Sequence, residues 1–189
     1  MHETTALLEN TAAVILAAGK GTRMKSELPK VLHPVLGREL VNYSVCLAQE
    51  LGLPRVVAVV GYGREQVEAV VRTRQPDALF AVQEDQRGTG HAVLMAKDQT
   101  EGSQYVLVLY GDVPTLRVDT VRRMAQSMAR STSGVALPYA CLCFETADPT
   151  GYGRAITDDA GHLLAIVEHR DCTAEQRNIT LCNAGVYLA

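Results

Sequence analysis

The chain has 189 residues, of which 47% are hydrophobic and 21% are charged, the balance of an ordinary soluble globular protein. A chain of this length is expected to bury about 70% of its unfolded surface, and one domain is the default. The net charge of −3 argues against a nucleic acid or an anionic membrane as partner. No apolar run approaches the ~18 residues that span a bilayer.

The first eleven residues predict a flexible leader, because they carry two glutamates and lack the basic-then-apolar order of a signal peptide. Residues 12–189 are predicted to form the folded domain. The five cysteines show no CxxC spacing and are typical of unreactive thiols in a reducing compartment, which predicts a cytoplasmic protein. Cys141 and Cys143 are two apart in an apolar run, so both should lie on one face of a strand.

Apolar strands and amphipathic helices alternate four times before residue 131, which predicts a doubly wound, mostly parallel α/β sheet. Later segments predict an added β-hairpin, with a turn at Asp158–Gly161, and a capping box formed by Thr173 and Gln176. In chain order, the predicted elements are a strand over 12–18, a helix over 39–51, a strand over 55–60, a helix over 64–74, a strand over 78–82, a helix over 91–97, a strand over 105–109, a helix over 118–128, a strand over 134–144, the hairpin strands 154–157 and 162–168, and a strand over 181–188.

A glycine-rich, basic segment follows the first predicted strand, with the sequence Leu-Ala-Ala-Gly-Lys-Gly-Thr-Arg-Met over 16–24. Its glycines allow backbone N–H groups to approach a ligand. The Walker spacing is absent, and Met24 stands where the dinucleotide fingerprint needs its third glycine. A strand-to-helix turn with a solvated basic face is the alternative to a phosphate site. Four cations in or near the segment suit phosphate oxygens: Lys20, Arg23, Lys25 and Lys30.

Polar segments lie where three of the predicted strands end, over 19–30, 83–90 and 110–114. Ligands of open α/β sheets bind beyond the carboxyl ends of the strands, so these segments should form one site. Asp112 ends an apolar strand, where it can hold Mg²⁺ or cap the next helix. Gln83 offers a donor and an acceptor, as the edge of a pyrimidine requires.

Six segments carry a resemblance to a known family. They are Leu-Ala-Ala-Gly-Lys-Gly-Thr-Arg-Met, Leu-Pro-Lys-Val-Leu-His, Gly-Thr-Gly-His-Ala, Leu-Tyr-Gly-Asp-Val-Pro, Asp-Pro-Thr-Gly-Tyr-Gly-Arg and Ile-Val-Glu-His-Arg-Asp, in that order. From about Ala12 to Ala189 the chain resembles the uridylyltransferase domain of the bacterial bifunctional N-acetylglucosamine-1-phosphate uridylyltransferase/glucosamine-1-phosphate acetyltransferases. These are sugar-nucleotide pyrophosphorylases. The resemblance implies a Rossmann-like α/β fold of the nucleotide-diphospho-sugar transferase type.

The resemblance also implies a reaction, the Mg²⁺-dependent transfer of UMP from UTP to N-acetylglucosamine 1-phosphate. Pyrophosphate is the second product. The implied roles are phosphate contacts by Arg23 and Lys30, Mg²⁺ binding by Asp112, nucleotide binding by Leu16, Ala17, Ala18, Gly19, Gly21, Gln83 and Gly88, and sugar binding by Thr89, Gly153, Glu168 and Asn183.

Three of the sugar contacts have plainer explanations from the residues alone. Glu168 follows an apolar strand and could be a solvated strand end. Asn183 lies within an apolar strand and could be a core amide with internal partners. Gly153 could serve an ordinary hairpin turn.

The family's domain continues some tens of residues past the position of Ala189 and includes a second metal ligand, an asparagine. Its acetyltransferase half, a left-handed β-helix that forms the trimer, has no counterpart in this sequence. The resemblance therefore predicts a domain truncated at its C-terminus, without acetyltransferase activity and with a trimer only in the full-length enzyme. A silent nucleotide- or sugar-binding fragment and a pyrophosphorylase for another sugar 1-phosphate stay open, although retention of Arg23, Lys30 and Asp112 favours an enzyme.

Overall fold

The computed structural model describes residues 2–21, 24–129 and 139–189. They divide into two compact units, Met1–Ala140 with Leu188–Ala189, and Cys141–Tyr187. Within these described ranges, no helix is long and apolar enough to cross a membrane. The helices are α1 (His2–Glu9), α2 (Leu40–Glu50), α3 (Arg64–Arg72), α4 (Thr89–Met95) and α5 (Val118–Ala129), and the strands are β1 (Thr11–Leu16), β2 (Pro34–Val35), β3 (Arg38–Glu39), β4 (Arg55–Val60), β5 (Leu79–Val82), β6 (Tyr105–Tyr110), β7 (Ala140–Glu145), β8 (Arg154–Thr157), β9 (Leu163–Val167) and β10 (Leu181–Leu188).

The first unit is built on parallel strands in the order β5-β4-β1-β6. In this order Val14 of β1 lies opposite Val57 of β4 on one side and Val108 of β6 on the other. Parallel pairing needs a crossover between strands, and the predicted helices supply it. The prediction of a mostly parallel α/β sheet flanked by helices is confirmed.

β1 is buried along nearly its whole length, because a central parallel strand is covered on both faces. Ala12, Ala13, Val14 and Ile15 are fully buried. Val57 and Val59 of β4 pack with Val14 in the same apolar cluster. The short apolar run that predicted this strand therefore marks the centre of the sheet.

The prediction of a flexible leader over 1–11 differs from the structure, which has helix α1 there. Leu7 and Leu8 are buried, and α1 packs against α5. The end of the helix is tied by a hydrogen bond of 2.7 Å from Thr11 Oγ1 to the carbonyl of Leu7. Burial of two leucines offsets the entropy of ordering a short segment, and this burial depends on a helix far away in the sequence.

The second unit is antiparallel. Arg154 of β8 lies opposite Val167 of β9 and opposite Cys182 of β10, and β7 pairs with β10. The predicted hairpin is thus confirmed. Of the predicted strand over 134–144, the structure has β7, whereas residues 134–138 lie outside the described residues.

The predicted capping box is present in the second unit. The N–H of Thr173 donates to Gln176 Oε1 at 3.0 Å, and the N–H of Gln176 donates to Thr173 Oγ1 at 3.2 Å. This reciprocal pair precedes a short 3₁₀ helix, Gln176–Asn178. The motif therefore caps one tight turn rather than an α-helix.

Candidate active site

A cavity of about 450 Å³ lies where β1, β5 and β6 end, within the size range of small-molecule sites. It brings together residues from all three polar segments that the sequence singled out. Ala17 does not line it, and Arg23 lies outside the described residues. The predicted site residues that line it are Leu16, Ala18, Gly19, Gly21, Lys30, Gln83, Gly88, Thr89 and Asp112.

The glycine-rich loop is shaped by Gly21, whose φ of +67° favours glycine. A Cβ atom on Gly21 would lie 2.5 Å from the Cβ of Lys30. Absence of a side chain at Gly21 therefore allows the Lys30 stem to lie against the loop. Beside it, Pro29 is buried, and a Cβ on Gly63 would collide with the Pro29 ring. The Pro-Lys pair is thus held between two glycines.

Asp112 reaches the cavity because β6 ends close to β1. The N–H of Gly111 donates to the carbonyl of Leu16 at 3.0 Å, and a Cβ on Gly111 would lie 3.0 Å from that oxygen. The carboxylate of Asp112 then forms an ion pair with the Lys30 amine. Their side chains are 22% and 43% exposed, respectively, so solvent screens the pair and limits its contribution to stability.

The other wall of the cavity holds a buried amide. Gln83 is 5% exposed, and its Nε2 donates to the carbonyl of Gly88 at 3.2 Å. The same nitrogen lies 3.0 Å from Nδ1 of His91. The amide is thereby fixed by two partners at the point where β5 ends.

Three residues that the sequence did not assign also contribute to the site. Gln86 Nε2 donates to the carbonyl of Ala18 at 3.0 Å, which ties the 83–90 loop to the glycine-rich loop. The hydroxyls of Thr89 and Tyr110 lie 3.2 Å apart. His91 orients Gln83. Their side-chain types alone do not indicate a role in a nucleotide site. In the sequence, only their positions at or near the ends of the strands could have marked them as site residues.

Backbone donors differ along the glycine-rich loop. The N–H of Ala17 donates to the carbonyl of Val59 at 2.8 Å, so it belongs to the sheet. Among the described residues, no hydrogen bond uses the N–H of Gly19 or of Gly21. These two groups remain available to an anionic ligand, which backbone N–H groups bind well.

The other predicted sugar contacts lie in the second unit, where the structure brings three of them together. The N–H of Asn183 donates to the carbonyl of Gly153 at 2.8 Å, and a Cβ on Gly153 would lie 3.5 Å from Glu168 Oε1. Glu168 is exposed. The Asn183 amide has internal partners, since Nδ2 donates to the Tyr187 hydroxyl at 2.6 Å and Oδ1 accepts from the N–H of Gly185 at 2.8 Å.

The cavity suits a hard cation in one respect. Asp112 is the carboxylate among its lining residues, and Mg²⁺ binds proteins through one or two carboxylates, with substrate phosphates and waters as its other ligands. In the part of the chain that the structure describes, no group of three or more His, Cys, Asp or Glu residues could hold a metal ion. Asp112 therefore fits a magnesium ion that is shared with a phosphorylated substrate.

Comparison with known families agrees with this geometry. Residues 13–179 match the model of the MobA-like NTP transferase domain. The chain belongs to this family. The matched residues, 13–179, include every residue that lines the cavity.

The chain is also similar to bifunctional proteins named GlmU. Identity is 47% over 176 residues to the protein from Burkholderia thailandensis, 48% over 175 residues to that from Burkholderia ambifaria and 47% over 176 residues to that from Burkholderia mallei. Each alignment covers 93% of this chain but 37% of the relative, so the chain spans just over a third of the length of these relatives. A nucleotidyltransferase of the GlmU type is thereby supported, and the family resemblance stated from the six segments is confirmed.

Proposed function

We propose that this domain transfers UMP from UTP to N-acetylglucosamine 1-phosphate and releases pyrophosphate, with Mg²⁺ as its cofactor. One observation carries the proposal. The cavity has a cation and a carboxylate, Lys30 and Asp112, on one wall, and a buried glutamine amide, Gln83, on the other. Such a site offers groups for a triphosphate and for a base. Similarity to the GlmU proteins supports the choice of reaction.

The base is proposed to lie against Gln83. Because the amide nitrogen is engaged by Gly88 and His91, Oε1 is the end available to a ligand. An amide oxygen accepts a hydrogen bond, which suits the N3–H of uracil. The backbone of Leu16, Ala18 and Gly19, which line the cavity, is proposed to hold the remainder of the nucleoside.

The phosphates are proposed to lie along Gly19, Gly21 and Lys30. The N–H groups of the two glycines bind phosphate oxygens, and Lys30 exchanges its ion pair with Asp112 for them. The guanidinium group of Arg23 is proposed to bind the same phosphates. A magnesium ion on the Asp112 carboxylate would supply the further positive charge that offsets the triphosphate.

The attacking group is the phosphate of the sugar 1-phosphate. It is already an anion, so no general base is required, and it attacks the α-phosphorus of UTP in line while pyrophosphate leaves. The protein aligns two highly charged reactants and neutralises their repulsion. Thr89, which lines the cavity, is proposed to contact the sugar. We further propose that the reaction takes place in the cytoplasm.

The test is pyrophosphate release from UTP and N-acetylglucosamine 1-phosphate, with Mg²⁺ and with EDTA. The variants are Lys30→Met, which keeps the length of the side chain, and Asp112→Asn, which keeps its shape. Each is expected to lower turnover by about 10²-fold, the usual effect of removing one electrostatic contact to the transition state. Lys97→Met is the matched control, since Lys97 is exposed and outside the cavity.

Each outcome distinguishes the alternatives. Wild-type turnover in Lys30→Met or Asp112→Asn would contradict the role of that residue. Saturable binding of UDP-N-acetylglucosamine without turnover would identify a binding fragment. Faster release with glucose 1-phosphate would identify a pyrophosphorylase for another sugar.

A further inference from the structure

His91 does not line the cavity, yet it contacts the amide that the proposed function places against the base. It lies in α4, and its Nδ1 is 3.0 Å from Nε2 of Gln83. The Gln83 side chain itself lines the cavity. The group that His91 presents to this amide therefore affects what the amide presents to a ligand.

The direction of the amide is set by the carbonyl of Gly88. This oxygen accepts from Gln83 Nε2 at 3.2 Å and from the N–H of Ala92, in the first turn of α4, at 3.2 Å. A carbonyl oxygen only accepts hydrogen bonds, so the nitrogen end of the amide faces it. The second hydrogen of the same nitrogen then points to His91, and Nδ1 of His91 accepts it.

An accepting Nδ1 defines the state of the His91 ring. Neutral imidazole carries one hydrogen, and the nitrogen without it is the acceptor. His91 is therefore neutral, with its hydrogen on Nε2. Both hydrogens of the Gln83 amide are then used, whereas Oε1 has no hydrogen-bond partner among the described residues and is reachable by solvent.

We propose that His91 is a positioning residue that acts through Gln83 to select a base with a donor at N3. This rests on the proposed function, which takes the base to lie against Gln83. Uracil presents N3–H, which Oε1 accepts, whereas cytosine has an unprotonated N3 that would face the same oxygen. For cytosine the amide would have to turn over, which would place Oε1 against two acceptors, the Gly88 carbonyl and His91 Nδ1. Acceptors left without a donor in a buried site cost affinity.

The first test compares the affinities of UTP and CTP, each with Mg²⁺, by isothermal titration calorimetry on the full chain. The wild type should bind UTP at least about tenfold more tightly than CTP, as expected from the loss of buried hydrogen bonds. The sugar phosphate is left out, so the result does not depend on turnover.

Two variants of the same shape, His91→Asp and His91→Asn, separate the role of the acceptor from a role in packing. The carboxylate in His91→Asp has an oxygen at the branch position of Nδ1 and only accepts, so the preference for UTP should be kept. Its charge should weaken both nucleotides alike and cancel in the ratio. The amide in His91→Asn can turn and donate to Oε1, so the preference should fall about fivefold or more. Leu94→Asn, at a position of the same helix that is 64% exposed, is the matched control and should keep the wild-type ratio.

The outcomes distinguish this inference from the proposed function. If His91→Asn binds UTP and keeps the wild-type ratio, or if His91→Asp loses the preference as His91→Asn does, the role of His91 is overturned and the proposed function stands. Failure of the wild type to bind UTP would contradict the proposed function, and this inference with it.

A second measurement needs no nucleotide. A long-range proton–nitrogen correlation NMR spectrum of the full chain, recorded under mildly alkaline conditions in which histidine is neutral, shows which ring nitrogen carries the hydrogen. The His91 signals are those absent from the spectrum of His91→Asn. They should show hydrogen on Nε2 and none on Nδ1. Hydrogen on Nδ1 would refute the inference, whatever the nucleotide affinities are.

Discussion

Gly21 meets two separate demands in the nucleotide loop. Its φ of +67° lies in the left-handed region. In addition, the Cβ of Lys30 lies 2.5 Å from the position that a Cβ on Gly21 would occupy. The same glycine therefore sets the turn of the loop and the position of the lysine. A residue with a side chain at this position would have to change the turn of the loop or displace Lys30.

We expect Gly21→Ala to lower both stability and turnover. The strained φ should cost about 1–3 kcal/mol of the free energy of unfolding, measured by chemical denaturation. Because the new methyl group pushes Lys30 away from the cavity, pyrophosphate release should fall at least tenfold. A Gly21→Ala protein with wild-type turnover would show that the position of Lys30 does not depend on this contact.

Gly37→Ala separates the two effects. Gly37 also has a positive φ, +78°, but nothing lies within 4 Å of the place that a Cβ would occupy. The variant should therefore lose stability through strain alone and keep its turnover. A similar loss of turnover in both variants would indicate general destabilisation.

At the scale of elements, the turn between β8 and β9 depends on one carboxylate. Asp158 Oδ1 accepts hydrogen bonds from the N–H of His162 at 2.8 Å and of Ala160 at 3.0 Å. Its Oδ2 lies 3.0 Å from Nδ1 of His162. The hydrogen bond from the His162 backbone is the main cause that lowers the pKa of Asp158.

A lowered pKa in the folded state predicts the sign of a pH effect. The ionised carboxylate contributes stability above its unfolded pKa of about 4, and this contribution is lost as pH falls below that value and through the lower folded one. We therefore expect Asp158→Asn to show a weaker dependence of melting temperature on pH in that range. Asp159→Asn, at the exposed neighbouring position, should keep the wild-type dependence. Identical profiles for wild type and Asp158→Asn would contradict the role of the turn.

Strand β6 shows how strongly burial decides the effect of a substitution. Leu107 is fully buried in β6, whereas Leu36 is 97% exposed. We expect Leu107→Ala to lower the free energy of unfolding by about 2–5 kcal/mol, since it leaves a cavity in the core. Leu36→Ala should stay within about 0.5 kcal/mol of wild type. Comparable losses in the two denaturation curves would contradict the described packing of β6.

At the scale of the whole molecule, ligand binding should be coupled to stability. Under the proposed function, UTP with Mg²⁺ at about 100 times Kd should raise the free energy of unfolding by about 2.7 kcal/mol. EDTA should reduce this gain in the wild type but have little effect in Asp112→Asn, which has already lost the proposed ligand of Mg²⁺. Thermal denaturation with each addition measures the effect. An equal gain with EDTA in the wild type would show that nucleotide binding does not require the metal.

Much of the fold follows from local pattern. The predicted strands over 55–60 and 181–188 agree with β4 and β10 to the residue, because both segments are rich in apolar residues. The gathering of Gly19, Gln83 and Asp112 at one cavity also follows, since parallel strands bring their carboxyl ends to one edge. By contrast, α1 was not predicted, because its burial depends on contacts with the distant helix α5.

The sequence by itself determined most of the order of strands and helices, although not α1, and the segments in which chemistry could occur, because both depend on periodicity and on residue type. Only the tertiary structure decided which side chains meet. The ion pair between Lys30 and Asp112, the orientation of Gln83 by His91 and the spacing of the Cys141 and Cys143 sulfurs depend on loop paths and side-chain rotamers. These are set by packing among residues that no local pattern connects.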